Sequence, residues 1–341
     1  MRTRLTHALE VAQVATSIAR GVGANATLAD AIALGHDCGH GPGGHASEDA
    51  FDEFIPGGFE HGPWGADVVL AGLNLCAETL DGIRNHSWSR PTPASVEGEI
   101  VSWADRIGYC AHDLEDAIRA GIISESDVPA EIAAVCGRTR REQLSTFIRA
   151  MIAATCRNGF VSMDPERAAA LSALREFNYE RIYTRPEAIA QSRAVIAVLR
   201  ALVEHYASHP ELLPPLGAAA VGAKDGPRDG TMDGTRDGPR DGTMDETRDG
   251  TMDETMDETR TVADGAAKGP AVEGPAVKGP TAERFVGRCE AGEDGGTGGD
   301  DRIVDSVLAA VTYVAGMTDR FAFDTAVALL GWDRDSLPKG V

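Results

Sequence analysis

An all-α fold is what this sequence predicts, and three observations carry the prediction. Apolar residues recur at three- and four-residue spacings from Leu5 to about His209, as in LTHALEVAQVATSIAR and AIAQSRAVIAVLRALVEHY. That is the period of a helix with one buried face. Alternating β-branched runs bounded by turn residues are nearly absent, and alanine and leucine, which lose little conformational freedom in a helix, are abundant in the same stretch.

The elements follow in order. The first amphipathic stretch begins at Leu5, and LADAIALG (28–35) forms a second that ends near the glycine-rich bend Gly41 to Gly44. Breaks are expected at Pro56 to Gly58, Pro91 to Pro93 and Pro210 to Pro215. Between the last two, EIVSWADRIGYCAHDLEDAI (99–118) reads as a long helix. From Gly217 to about Asp301 the composition changes to near-repeats of DGTMDETRDG, DGPRDG and GPAVEGPAVKGP, which have too little apolar surface to offset ordering entropy; disorder is expected. A solenoid is the other reading of a repeat, but this unit has no apolar position to stack. Helical period returns in RIVDSVLAAVTYVAGMTDRFAFDTAVALLGW. The expected organisation is a helical core over 1–216, a low-complexity linker over 217–301, and a helical segment over 302–341 that docks on the core.

The 341 residues carry a formal charge of −21, and residues 221–301, with 20 acidic and 10 basic side chains, hold about half of it. Both parts repel polyanions, so duplex nucleic-acid binding through a broad basic face is disfavoured. No apolar stretch is long enough to span a bilayer. The start, MRTRLTHALEV, lacks the apolar core and cleavage site of a secretory signal. The six scattered cysteines, without a C-x-x-C pair, read as reduced core residues of a cytoplasmic protein.

Seven of the nine histidines lie in the first 112 positions, and HDCGHGPGGHASE (36–48) packs three of them and two carboxylates around a bend. A single histidine on an apolar face is usually a core residue; three in ten positions suggest a divalent metal, for which imidazole and carboxylate are matched ligands. His36 and Asp37 would sit together at a helix C-terminus and need further ligands. His7 on the first helix and Asp105 on the long helix can supply them. At 100° per residue, Asp105, Tyr109, His112, Asp113 and Asp116 share one helix face, which a solvated polar stripe would also explain.

The set His7, His36-Asp37, Asp105 resembles the H…HD…D signature of HD-domain metal-dependent phosphohydrolases. In order along the chain, RTRLTHALEVAQVA, ALGHDCGHGPGGHASE, GGFEH, NLCAETLDGI, WADRIGYCAHDLEDAI, LREFNYERIY and YVAGMTDRFA are similar to segments of the deoxyguanosine triphosphate triphosphohydrolase-like family. The similarity covers nearly all of the chain outside 217–301. It implies an HD-type helical bundle that holds one divalent ion (Mn, Mg, Fe, Co or Ni) through His7, His36, Asp37 and Asp105. The implied reaction is cleavage of a dNTP into deoxynucleoside and inorganic triphosphate by a homo-oligomer.

Within that resemblance, His45 is the expected proton donor to the leaving 5′-oxygen, with Glu48 one turn later to orient and charge it. His40 and His61 would neutralise phosphates, and Arg4 would clamp them as a fork. Tyr109 is expected against the deoxyribose, Asp113 on its 3′-hydroxyl and Arg106 near the phosphates. His86 and His112 are expected to be structural or peripheral, and His205 and His209 to face solvent. Two departures stand out. Family members usually carry several dozen residues before RTRLTH, so a truncated, misassigned or reduced start is expected. They also usually have phenylalanine where this chain has Gly43, which is expected to loosen the loop before His45. The alternatives are another HD-domain nucleotide phosphohydrolase, without the GGFEH and YVAGMTDRFA segments, and a catalytically impaired dNTP-binding or oligomer-forming protein.

Overall fold

The computed structural model describes residues 3–214 and 300–338, with the side chains of 300–305 left aside. Among the described residues there is no strand, and all regular elements are helices. The expected disordered linker over 217–301 lies outside the described residues, except for Asp300 and Asp301, which open a helix.

Capping residues set the helix starts. Thr3 caps α1 (Arg4–Val22) in a reciprocal pair with Thr6, and Gly23, in the left-handed region, ends it. The Asn25 carboxamide accepts the first free N–H groups of α2 (Ala26–Gly35). Short helices α3 (His45–Phe51) and α4 (His61–Trp64) follow, the second continuing as a π turn over Gly65–Val69. Next come α5 (Ala77–Asn85), the 24-residue α6 (Val96–Arg119) capped by Ser95, α7 (Ala130–Cys136), α8 (Arg140–Asn158) and α9 (Pro165–Asn178). Helices α10 (Pro186–Ser208), α11 (Asp300–Ala315) and α12 (Asp319–Leu330) complete the set.

Two apolar cores divide these helices. The larger joins α1, α2 and α5–α9 through Val11, Ile18, Ile32, Ile83, Ile100, Ile107, Leu114, Phe147 and Leu174, all at 0–1% exposure. The second joins α3, α4 and α10–α12 through Phe51, Phe59, Trp64, Val198, Leu202, Val311 and Phe323. The segment after the repeats is thus packed into a core with residues from before them, among them Phe51 of α3 and Val198 and Leu202 of α10. Among the described residues, no helix is long and apolar enough to cross a membrane.

The cysteine expectation is corrected in part. All five described cysteines are free, but only Cys110 and Cys136 are buried; Cys38, Cys76 and Cys156 are exposed. Cys289 lies outside the described residues.

Candidate metal centre

The close approach of three helices builds the first cluster. On α6, one face (Ile100, Val101, Ala104, Ile107, Leu114) enters the large core, which turns Asp105 toward α1 and the C-terminus of α2. His36 caps α2 and pairs Nδ1 with the Ala33 carbonyl at 2.7 Å, so its Nε2 faces inward. There His36 Nε2 meets His7 Nε2 at 3.3 Å, Asp37 Oδ1 at 3.3 Å and Asp105 Oδ1 at 3.6 Å. His7 Nε2 lies 3.2 Å from Asp105 Oδ1 and 3.5 Å from Asp37 Oδ2. All four residues named from the sequence as metal ligands are therefore neighbours.

The electrostatics of this cluster call for a cation. Burial opposes a charge on His36, yet Asp37 and Asp105 outweigh it and raise the imidazolium pKa to about 9. Burial likewise works against the two carboxylates, but the imidazoles around them hold both well below the usual range. Two partly buried carboxylates facing two imidazole nitrogens are a donor set that fits a divalent transition ion, with His7, His36 and Asp105 close enough to share one. His7 Nδ1, on the far side of its ring, is buried without a hydrogen-bond partner.

A second cluster adjoins the first through Asp37. Its Oδ1 lies 3.5 Å from His40 Nε2 and 3.8 Å from His61 Nε2. The His40 and His61 rings stack at 3.7 Å between centroids, with His45 4.7 Å from His40. This approach depends on Gly39, where a Cβ would run into the His61 carbonyl and the Gly65 amide. Phe59, wedged between Phe51 and Trp64, anchors the GGFEH turn that delivers His61.

Several expected roles need correction here. Glu48 pairs with the His61 ring and accepts the His61 backbone N–H at 3.2 Å; it does not bond to His45. His45 opens α3 with its ring exposed, while Glu48, a turn later, reaches across to α4. Burial opposes a charge on Glu48, and its hydrogen bonds from His61 outweigh it to lower its pKa. At His40, burial and then His61 drive the imidazolium pKa far down, which favours a neutral ring over a charged partner for phosphates. Arg4 does not stand free as a fork. Its guanidinium donates to the His40 carbonyl at 2.8 Å, to the Gly41 carbonyl at 2.7 Å and to Asp319 at 3.1 Å.

The loop before His45 is also not loosened by Gly43. At φ +80° the backbone is in the left-handed region, and a Cβ there would come within 2.5 Å of the Val195 side chain. Ser47 closes the loop from the other side, accepting from Gly41 N–H at 3.0 Å and donating to the Gly44 carbonyl at 2.7 Å.

The remaining expected residues lie along α6. Arg106 stacks its guanidinium 3.3 Å above the Trp88 ring, and its Nε is buried without a partner. Tyr109 accepts from Arg175 at 3.1 Å, and burial keeps its phenol neutral. Asp113 accepts the Tyr183 hydroxyl and lies 3.3 Å from His112 Nε2. His112 in turn contacts Glu10 at 3.3 Å and stands edge-on to His7, 5.0 Å away.

Two residues left outside the expected site belong near it. His86 caps α5 as His36 caps α2, with Nδ1 on the Ile83 carbonyl at 2.7 Å, and its Nε2 is 3.0 Å from His61 Nε2. Burial, then His36 and His61, lowers its pKa to about 4, so it is neutral near pH 7. Asp319 reaches the glycine loop from α12. Far from both clusters, His209 is exposed as expected, whereas His205 is half-buried against Tyr206.

The helical bundle and its H…HD…D cluster define an HD domain, and the HD domain family matches residues 4–109. The phosphohydrolase-associated domain matches residues 161–229. Three relatives share the name deoxyguanosinetriphosphate triphosphohydrolase-like protein. That of Caldanaerobacter subterraneus subsp. tengcongensis is 37% identical over 219 residues, covering 62% of this chain and 64% of the relative. That of Clostridium perfringens (strain 13 / Type A) is 37% identical, covering 63% and 67%, and that of Ruegeria sp. (strain TM1040) is 32% identical, covering 62% and 73%. The chain belongs to the deoxyguanosinetriphosphate triphosphohydrolase-like family. It spans 64% of the length of the first of these relatives.

Proposed function

We propose that this chain is a metal-dependent phosphohydrolase that splits deoxynucleoside triphosphates into deoxynucleoside and inorganic triphosphate. The observation that carries the proposal is the convergence of His7, His36, Asp37 and Asp105 at 3.2–3.6 Å beside a second set of imidazoles reached through Asp37. The shared name of the relatives supports the substrate class. A divalent ion held by those four residues supplies positive charge and Lewis acidity toward a phosphoryl oxygen.

The chain's own residues do the rest. Water adds at the α-phosphorus as the bond to the 5′-oxygen breaks, and His45, on the open side of the imidazole set, gives that oxygen its proton. Glu48 acts through His61, fixing the ring that stacks on His40. His40 and His61 line the path of the phosphates as hydrogen-bonding rings. Arg106 adds cationic charge, while Tyr109 and Asp113, one and two turns beyond Asp105, face the sugar and its 3′-hydroxyl. Residues 1–216 form the phosphohydrolase core, 302–341 dock on it, and the working unit is a homo-oligomer.

The test is to incubate metal-loaded protein with each dNTP and to resolve triphosphate from pyrophosphate and phosphate. Equimolar deoxynucleoside and triphosphate support the proposal. Release of phosphate or pyrophosphate instead points to another HD-type phosphohydrolase, and no turnover of any dNTP overturns it.

A further inference from the structure

The loop between the two clusters, residues 40–44, carries His40 and delivers His45, yet it has little regular structure of its own. Its geometry is imposed from outside. The Asp319 carboxylate, in the first turn of α12, accepts the Gly43 N–H at 2.6 Å and an Arg4 N–H at 3.1 Å through the same oxygen. Arg4 holds the carbonyls of His40 and Gly41. The carboxylate and the guanidinium, 315 positions apart in sequence, therefore grip the loop at three points, His40, Gly41 and Gly43. Asp319 itself is held in place: Thr318 caps α12 by accepting from Phe321 N–H at 3.2 Å, and Ala322, Phe323 and Ala326 are buried in the second core.

The geometry points to Asp319 as a positioning residue for the histidine-bearing loop, by which the C-terminal segment takes part in the reaction without contributing a metal ligand. A charged acceptor suits the role, because a hydrogen bond to a carboxylate is stronger than one to a neutral oxygen and the pair with Arg4 is partly shielded, with side-chain exposures of 27% and 39%. Losing the carboxylate frees Gly43, whose left-handed conformation then has one restraint fewer, and frees Arg4 from its anchor. The proposed metal ligands, on α1, on α6 and just past the C-terminus of α2, are expected to keep their positions.

The inference rests on the proposed hydrolysis for its activity arm and stands apart from it in its exchange arm. In the full-length, metal-loaded protein, Asp319→Ala is expected to speed backbone hydrogen exchange in residues 41–46 by about tenfold or more, with exchange around Asp105 and metal content unchanged. A displaced proton donor should cost on the order of 10- to 100-fold in kcat, with a smaller change in KM. Asp319→Asn, which keeps an acceptor oxygen for Gly43 but loses the charge, should recover part of both effects. Unchanged exchange over 41–46 overturns the inference whether or not the protein hydrolyses a dNTP. So does acceleration spread evenly over α10 and α12, which marks a merely structural residue, or wild-type kcat beside a loosened loop. Failure of the wild-type protein to turn over any dNTP, with the loop loosened as expected, counts against the proposed hydrolysis and leaves the grip of Asp319 supported.

Discussion

The two histidine clusters share one carboxylate and behave in opposite ways. Around His7 and His36, two carboxylates face two imidazoles and raise the His36 pKa above its ordinary value despite burial. Around His40 and His61, imidazoles stack on one another, Glu48 is bonded to His61, and His40 is driven neutral. Both rings are buried, so the opposite shifts follow from their neighbours: two carboxylates beside His36, and beside His40 one carboxylate opposed by His61, His45 and Arg4. Carboxylates crowd the first cluster and suit it to a cation, whereas the second presents stacked imidazoles with one acid, Glu48, bonded to His61.

Substitutions can break this contrast, the strongest first. His45→Ala should retain metal, as measured by elemental analysis, while turnover falls by about 100- to 10,000-fold, the usual contribution of a positioned general acid. Metal loss in that variant would merge the two clusters into one site. Glu48→Gln should reduce turnover about 10- to 100-fold, again with metal retained, because it acts on substrate only through the His61 ring it orients. An effect as large as that of His45→Ala would mean that Glu48 serves the proton donor directly.

Gly43→Ala should lower stability by about 1–3 kcal/mol in urea titration, from the cost of a left-handed alanine together with the Val195 clash. An unchanged midpoint would show that the loop is free to rearrange. A further effect is on pH dependence. Burial opposes a charge on His112, but Asp113 and Glu10 raise its pKa from 6.5 to about 9. A raised folded-state pKa adds stability that is complete below about pH 6.5 and is lost as pH climbs toward 9. The wild-type urea midpoint should therefore fall across that window. His112→Gln should lie lower at pH 6 and change less between pH 6.5 and 9; an equal slope in both proteins would remove His112 from the account.

Much of this was legible in the sequence, for reasons that differ by residue. The all-α class follows from helical period, and Asp105 was conspicuous as a carboxylate in an apolar helix. His36 and Asp37 announced themselves at the end of LADAIALG. His86 occupies the same kind of place, at the end of ETLDGIRN, and bonds the carbonyl three residues back as His36 does, but as a lone histidine it had no neighbouring ligand to mark it. Sequence spacing favours the i to i+3 neighbour His45 as the partner of Glu48, whereas tertiary packing brings His61 closer. Arg4 and Gly43 escape a local reading for one reason: both bond to Asp319, which lies more than 270 positions away.

The central claim is that the carboxylate-flanked cluster alone holds the metal. Asp105→Ala and His61→Ala, each loaded with a divalent ion, dialysed and measured by elemental analysis beside the wild type, test it most directly. The account predicts an empty Asp105→Ala and a fully metallated His61→Ala. A metallated Asp105→Ala, or an empty His61→Ala, would contradict it.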